Sequence, residues 1–290
     1  MYAREVKHQR SNGPSSLSRV LSFLALVAGI VVVAMIVLLA LVRHGQERMV
    51  FFPPRWTVVD PEGVERVDFT APDGQRLLYY LVRPDTADSS GTVVVSFHGN
   101  ADLAVWQVPW ARELATRTGA VVVVAEYRGY GGLPGTPTYA GTRADALATW
   151  AELQRREGAT SQRAVLHGHS LGSAVASELA RAIEPRALLL ESPFTSARAM
   201  AARMPLPGIS LFWGAISRVH YDTRERVATL DAPVWVAHGE ADDVIPASMG
   251  REVHAASRRK GALLLVRDAG HNDVREGDGY WRWLEAAVAP

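Results

Sequence analysis

No cysteine occurs among the 290 residues. That excludes a disulfide framework, a thiolate zinc site and a cysteine nucleophile, and leaves the redox compartment open. An excess of one charge is missing too. The 31 basic and 30 acidic side chains leave a net charge of +1, and no basic stripe runs through the chain beyond residue 49, so nucleic acid is not an expected partner. There is no internal repeat and no low-complexity block. Charge is wholly absent from Val20 to Val42, about 23 residues rich in Val, Leu, Ile and Ala. As a helix rising about 1.5 Å per residue, this run spans roughly the 30 Å hydrocarbon core of a bilayer. A cleaved signal peptide is the nearest alternative, but its apolar region is shorter and ends at a small-x-small site. The end here reads Ala40-Leu41-Val42-Arg43, which favours an anchor. A buried core helix would show a polar face, and this run has none. Arg4, Lys7, Arg10 and Arg19 precede the span and Arg43, Arg48 and Arg55 follow it, so the positive-inside rule puts the N-terminus in the cytoplasm and the rest outside it.

These features divide the chain into a polar tail (1–19), a transmembrane helix (20–42) and one globular domain (49–290). Within the tail, Gln9 to Ser18 reads as a flexible lead, because Gly13-Pro14-Ser15-Ser16 suits no helix. The globular part, about 240 residues, suits a single α/β domain. Val67 to Thr70 and Leu77 to Val82 flank an Asp73-Gly74 turn and predict an edge hairpin. Thr92 to Phe97 and Ala120 to Ala125 are continuous apolar runs, as central parallel strands require. Leu103 to Thr118, Thr142 to Arg156, Leu171 to Ile183 and Ala247 to Ala256 read as the intervening helices. Strand and helix alternate, with chemically able residues at strand C-terminal ends, so a ligand is expected at the sheet's carboxyl edge.

The residues Gly168-His169-Ser170-Leu171-Gly172 lie between the apolar run Ala164-Val165-Leu166 and the small-residue run Ser173 to Ala180. Strand, sharp turn and helix around one serine make a nucleophile elbow, with glycines where side chains would collide. The backbone N–H of Leu171 then opens a helix and faces a developing oxyanion. Downstream, the strand Val234 to Ala237 leads through His238-Gly239 into the acidic loop Glu240-Ala241-Asp242-Asp243. Leu263 to Val266 leads into Asp268-Ala269-Gly270-His271. The order Ser, Asp, His is that of α/β-hydrolases and differs from the chymotrypsin and subtilisin orders. A serine hydroxyl needs a neutral imidazole to take its proton and a carboxylate to orient that imidazole. Ser170 and His271 fill the first two roles, and Asp242 or its neighbour Asp243 the third. His98 and His238 precede glycines at strand ends, where imidazoles more often satisfy backbone groups, and His169 points elsewhere on the turn.

With these pieces, the chain from about Met49 onward resembles the α/β-hydrolase superfamily, and within it the single-pass, membrane-anchored serine hydrolases. The matching segments are Phe51-Phe52-Pro53, Pro72-Asp73-Gly74, His98-Gly99-Asn100-Ala101, Tyr127-Arg128-Gly129-Tyr130-Gly131, Gly168 to Gly172, Glu191-Ser192-Pro193-Phe194, His238 to Pro246 and Gly270-His271-Asn272-Asp273. The resemblance implies a mostly parallel, doubly wound sheet with a small helical cap. It implies Asp242 as the acid, and a second oxyanion N–H at Asn100 with Ala101 the rival. It implies neither a metal nor an organic cofactor. The expected activity is cleavage of ester or thioester bonds in lipid-like substrates. A serine peptidase or amidase, or a tethered binding protein without activity, are the alternatives. One departure is Leu133 within Gly132-Leu133-Pro134-Gly135, where such hydrolases usually carry serine; it leaves the triad untouched, and the polarity of the loop beside the site, with any substrate preference, does not carry over from the family.

An insert of about 195–229 separates the strand Ala187 to Leu190 from the strand Val234 to Ala237. It carries Met200, Met204, Leu206, Ile209, Leu211, Phe212 and Trp213 and reads as the cap. Phe212 and Trp213, with Trp106 on the helix after His98-Gly99, are candidate substrate-pocket residues. Packing of the cap onto the sheet is the plainer role for the insert, and Trp110, one turn beyond Trp106, shares the ambiguity.

Overall fold

The computed structural model describes residues 16–84, 91–204, 213 and 216–289. Helix α1 (Ser16–Val50) carries the apolar run on one helix of 35 residues. It is long and apolar enough to cross a membrane. It also exceeds the charge-free run at both ends, taking in Ser16 to Ser18 and continuing past Arg43. The chain divides into two compact units between Gly45 and Gln46, inside this helix.

The second unit holds an eight-stranded sheet built from β1 (Glu65–Thr70), β2 (Arg76–Val82), β3 (Val93–Phe97), β4 (Val121–Ala125), β5 (Ala164–His169), β6 (Ala187–Glu191), β7 (Val234–Gly239) and β8 (Lys260–Val266). The spatial order is β1-β2-β4-β3-β5-β6-β7-β8. β1, β2 and β4 pair antiparallel, and every pair from β4 to β8 is parallel. The expected edge hairpin is present, with Phe69 opposite Leu77. β3 is buried along its whole length and β4 at every residue but Val121, as their apolar runs require.

Among the described residues, the helices between strands include α2 (Val108–Thr118), α3 (Tyr139–Glu157), α4 (Leu171–Ile183), α5 (Ala197–Ala201), α6 (Thr223–Thr229) and α7 (Ala247–Ala256), and α8 (Tyr280–Val288) follows β8. α4 and α7 keep the boundaries read from sequence. The expected helix over Leu103 to Thr118 is instead a 3₁₀ turn, Ala104–Gln107, followed by α2. Pro109 explains the break, since a proline lacking an N–H fits only a helix's first turn. α3 starts at Tyr139 because the Thr138 side chain accepts from Gly141 N–H and caps it there.

From β3 the chain crosses to β4 on one side and then to β5 on the other. That reversal opens a crevice at the carboxyl ends of β3 and β5, where ligands bind in open α/β sheets. Two apolar clusters cover the sheet's faces, one containing Tyr79, Leu166 and Val175, the other Val94, Leu114 and Leu284. Leu133 packs with Phe69, Leu77 and Ala148 at the antiparallel end of the sheet. It lines neither cavity beside Ser170.

The last turn of α1 belongs to the globular unit. Gln46, 5 % exposed, donates from Nε2 to Ile216 O at 2.7 Å and accepts from Arg218 N–H at 2.8 Å. A leucine at this position keeps the volume and loses both bonds. Gln46→Leu is expected to cost about 2 kcal/mol, lowering the unfolding temperature of the detergent-solubilised chain by roughly 4–8 °C. An unchanged melting curve would remove Gln46 from the fold's supports.

Candidate active site

Ser170 sits between β5 and α4 with φ 53° and ψ −116°, a conformation costly for any residue with a side chain. Flanking contacts impose it. Ser170 N–H donates to Glu191 O at 2.9 Å, and Ser173 donates to Ser170 O from both N–H (3.0 Å) and Oγ (2.5 Å). A side chain at Gly168 would strike the backbone at Gly172, and one at Gly172 would strike the Phe97 carbonyl. Both glycines therefore have the role the motif assigns them.

The turn presents Ser170 Oγ to His271 Nε2 at 2.9 Å, and His271 Nδ1 lies 2.7 Å from Asp242 Oδ2. The carboxylate accepts from Nδ1–H, which leaves Nε2 with its lone pair facing the hydroxyl. Asp242 Oδ1 accepts from Val244 and Ile245 N–H at 2.9 and 2.8 Å. Burial works against the Asp242 charge, but donors from His238, His271 and Ile245 outweigh it and hold this carboxyl far below the usual carboxylate range. Asp243 is an exposed neighbour; the carboxylate against His271 is that of Asp242.

A second serine–histidine contact lies deeper. Ser96 Oγ is 2.8 Å from His167 Nδ1, and His167 Nε2 is 2.9 Å from Glu191 Oε1. Its composition matches a triad and its location does not. Ser96 and His167 are 1 % and 0 % exposed, against 9 % for Ser170, and Ser170, not Ser96, lines the two cavities. The deeper set is a buried polar network. Glu191 also accepts from Tyr280 Oη and from Arg275 Nε. Burial opposes its charge, but Arg275 and the neighbouring imidazoles hold it well below the usual range.

The loop after β3 is fixed from both sides. His98 Nε2 meets Glu126 Oε1 at 2.7 Å; burial opposes the imidazolium, but the Glu126 carboxylate wins and raises His98 above its ordinary value. The Asn100 side chain accepts at Oδ1 from Phe52 N–H (2.9 Å), Tyr130 Oη (2.8 Å) and Ala101 N–H (3.1 Å), and its Nδ2 donates to Val50 O. Ala101 N–H is thus directed to its neighbour's side chain. Leu171 N–H belongs to the first turn of α4, where helix N–H groups have no intrahelical acceptor.

Two cavities meet at Ser170. One, about 340 Å³, is apolar and lined by Met49, Phe52, Phe194, Met200, Trp213 and Tyr221 among others. The other, about 370 Å³, is polar and lined by Asp102, Gln107, His169, His271, Asn272 and Arg275 among others. Of the candidate pocket residues, Trp213 lines the apolar cavity. Trp106 lines neither; it is 44 % exposed and packs edge-on against Trp56 at 6.2 Å. Phe212 lies outside the described residues, as do Leu206, Ile209 and Leu211. Trp110 is buried, donating to Tyr280 Oη at 2.8 Å. Sequence reasoning missed Glu191 with Arg275, although a lone acid ending the run Leu188-Leu189-Leu190 is a legible signal. Among the described residues no group of three or more His, Asp or Glu is arranged to hold a metal.

The chain belongs to the alpha/beta hydrolase family, whose profile matches residues 93–225. An uncharacterized protein of Mycobacterium tuberculosis is 36 % identical over 242 residues, covering 81 % of this chain and 83 % of that one. Human alpha/beta hydrolase domain-containing protein 17B is 30 % identical over 212 residues, covering 73 % and 69 %. Among solved structures, the esterase domain of a Rhodothermus marinus protein superposes with a TM-score of 0.58 at 20 % identity, covering 78 % of this chain and 99 % of that one.

His169 links the elbow to the base, donating from Nε2 to His271 O at 3.2 Å. Burial, with Arg275 and His271 nearby, pushes it down to about 4. Between pH 6.5 and 4 the unfolded chain therefore binds a proton that the folded chain refuses, so stability falls as pH falls through that window. The loss is about 1.4 kcal/mol per pH unit. His169→Asn is expected to flatten that slope by about this amount, measured by denaturant unfolding at pH 4, 5, 6 and 7. Parallel slopes for the two proteins would refute it.

Proposed function

We propose that the chain is a membrane-anchored serine hydrolase that cleaves carboxylic ester or thioester bonds of lipid-like, acylated substrates. The observation that carries this reading is the Ser170–His271–Asp242 chain of 2.9 and 2.7 Å contacts at the junction of the two cavities. Ser170 attacks the acyl carbonyl as His271 takes its proton. The charge on the carbonyl oxygen is received by the N–H groups of Leu171 and Asn100. Engagement of Ala101 N–H by Asn100 Oδ1 supports Asn100 over Ala101 in that role. His271 then protonates the departing atom, and water releases the acyl group by the same route in reverse. Asp242 keeps Nδ1 protonated and stabilises the imidazolium.

The apolar cavity suits the acyl chain. The insert read as a cap supplies Met200, Met204, Trp213 and Tyr221 to its wall. Met49 and Phe52, on the same wall, follow the apolar span by only a few residues of chain, which supports substrates that arrive from a bilayer. The small excess of basic residues before the span supports a cytoplasmic N-terminus and a hydrolase domain on the other side.

Ser170→Ala is expected to lower hydrolysis of p-nitrophenyl octanoate by about 10⁴-fold or more and to abolish labelling by a fluorophosphonate. Folded wild-type protein that is neither labelled nor active would sink the reading. Trp213→Ala should favour longer acyl chains, each further methylene accommodated contributing ~0.8 kcal/mol, about fourfold in kcat/KM. Identical relative rates on butyrate and dodecanoate esters would refute the acyl assignment. Protease added to spheroplasts is expected to digest the hydrolase domain; complete protection would reverse the topology.

A further inference from the structure

The catalytic reading leaves one built feature without a task. On the polar side of Ser170, Arg275 Nη1 donates to Gln107 Oε1 at 2.6 Å, and Gln107 Nε2 donates in turn to Asp102 Oδ2. Asp102 Oδ1 accepts from Leu103 N–H at 2.7 Å. Arg275 is stacked over Trp110, its guanidinium carbon 4.6 Å from the ring, and its Nε is tied to buried Glu191. Asp102, Gln107 and Arg275 thus form one fixed row along the wall of the cavity.

Proton transfer decides which part of a substrate meets this row. The imidazole that takes the serine proton must return it to the leaving atom, so the leaving group has to emerge on the His271 side. His271 lines the polar cavity and not the apolar one, which Leu171 bounds; Asn100 and Ser170 line both. Acyl chain and leaving group are therefore sorted into opposite cavities. Resting on the serine-hydrolase reading above, we propose that the polar cavity is a leaving-group subsite for an uncharged, hydroxyl-rich alcohol, recognised by Asp102, Gln107 and Arg275.

The chemistry of the wall selects that class. A carboxylate accepts about four hydrogen bonds and a guanidinium donates five. The contacts within the row occupy only part of each, so a substrate finds both acceptors and donors at fixed positions. Hydroxyl groups satisfy both; an alkyl alcohol satisfies neither and leaves them desolvated. Charge excludes the anionic option. Arg275 is balanced by Glu191, Asp102 adds a second negative charge, and no other cation lines the cavity among the described residues. An anionic leaving group would thus enter a site of net negative charge. In the reaction the Ser170 Oγ–acyl carbon bond forms and the acyl carbon–alcohol oxygen bond breaks. The serine proton travels through His271 to that oxygen, and the polyol departs neutral.

The test uses the detergent-solubilised full chain and three octanoate esters, of glycerol, of 1-propanol and of glycolate. Each kcat/KM is normalised to the ester's own hydroxide-catalysed rate. The glyceryl ester is expected to exceed the propyl ester by about tenfold or more, as one or two added hydrogen bonds imply, and the glycolate ester is expected to be the poorest. Asp102→Asn and Gln107→Leu should bring the glyceryl-to-propyl ratio to within about threefold of one. Both rates in a ratio come from the same sample, so a partly unfolded variant does not distort it. A wild-type ratio near one, a preferred glycolate ester, or variants that keep the full ratio would overturn the subsite while p-nitrophenyl octanoate turnover left the hydrolase reading standing. Absence of turnover on every ester together with absence of fluorophosphonate labelling would instead overturn the hydrolase reading itself.

Discussion

The strained backbone at Ser170 is the constraint on which the rest of the site depends. Holding a residue with a side chain at φ 53° and ψ −116° costs on the order of 1–3 kcal/mol. The surroundings offset this with the Glu191 carbonyl on the serine N–H and two donors from Ser173 on its carbonyl. The strain directs Oγ away from the sheet toward His271 and sets Leu171 N–H at the start of α4. The close approach of strand and helix at this turn leaves no space for a side chain at either 168 or 172.

Three acids then fix the loops around that turn, each at or just beyond the end of a strand. Glu126, after β4, holds His98 and accepts from Ala104 and Tyr127 N–H, locking the loop after β3. Glu191, ending β6, gathers Arg275 and Tyr280 from the segment after His271. Asp242, beyond β7, orients His271 itself. A buried carboxylate is expensive unless several donors meet it, and each of these has them. Some of the donors come from segments distant in sequence, among them His98, His271 and Arg275, so the same contacts that stabilise the charges fix the positions of the loops around Ser170.

Much of this was legible in the sequence because it depends on local pattern. Alternating apolar runs and small-residue helices gave the sheet, and the Gly-x-Ser-x-Gly turn with the order Ser, Asp, His gave the residues that the structure brings together. Resemblance to known hydrolases was needed to choose Asp242 over Asp243, since adjacent acids in a loop carry no periodicity. The helix after His98 was misread at its start because helical spacing does not separate a 3₁₀ turn from the α-helix that follows it. Trp106 was misplaced for a related reason: aromatic content marks a side chain as apolar without saying which cavity it faces.

Least legible was the dependence of the loop after β3 on the segment that follows the apolar helix. Val50 and Phe52 bind opposite ends of the Asn100 amide, and Tyr130 closes the third side. A primary amide with all these contacts has one orientation, so the backbone N–H of Asn100 inherits its direction partly from Val50 and Phe52. Gln46, one turn earlier, pins the same segment to Ile216 and Arg218 within the insert. The residues joining helix to domain are therefore part of the Asn100 loop's framework and of the apolar cavity's wall at once. A chain severed just before Met49 keeps the Asn100 contacts and loses the Gln46 anchor, which leaves that loop braced by a segment that is itself unbraced.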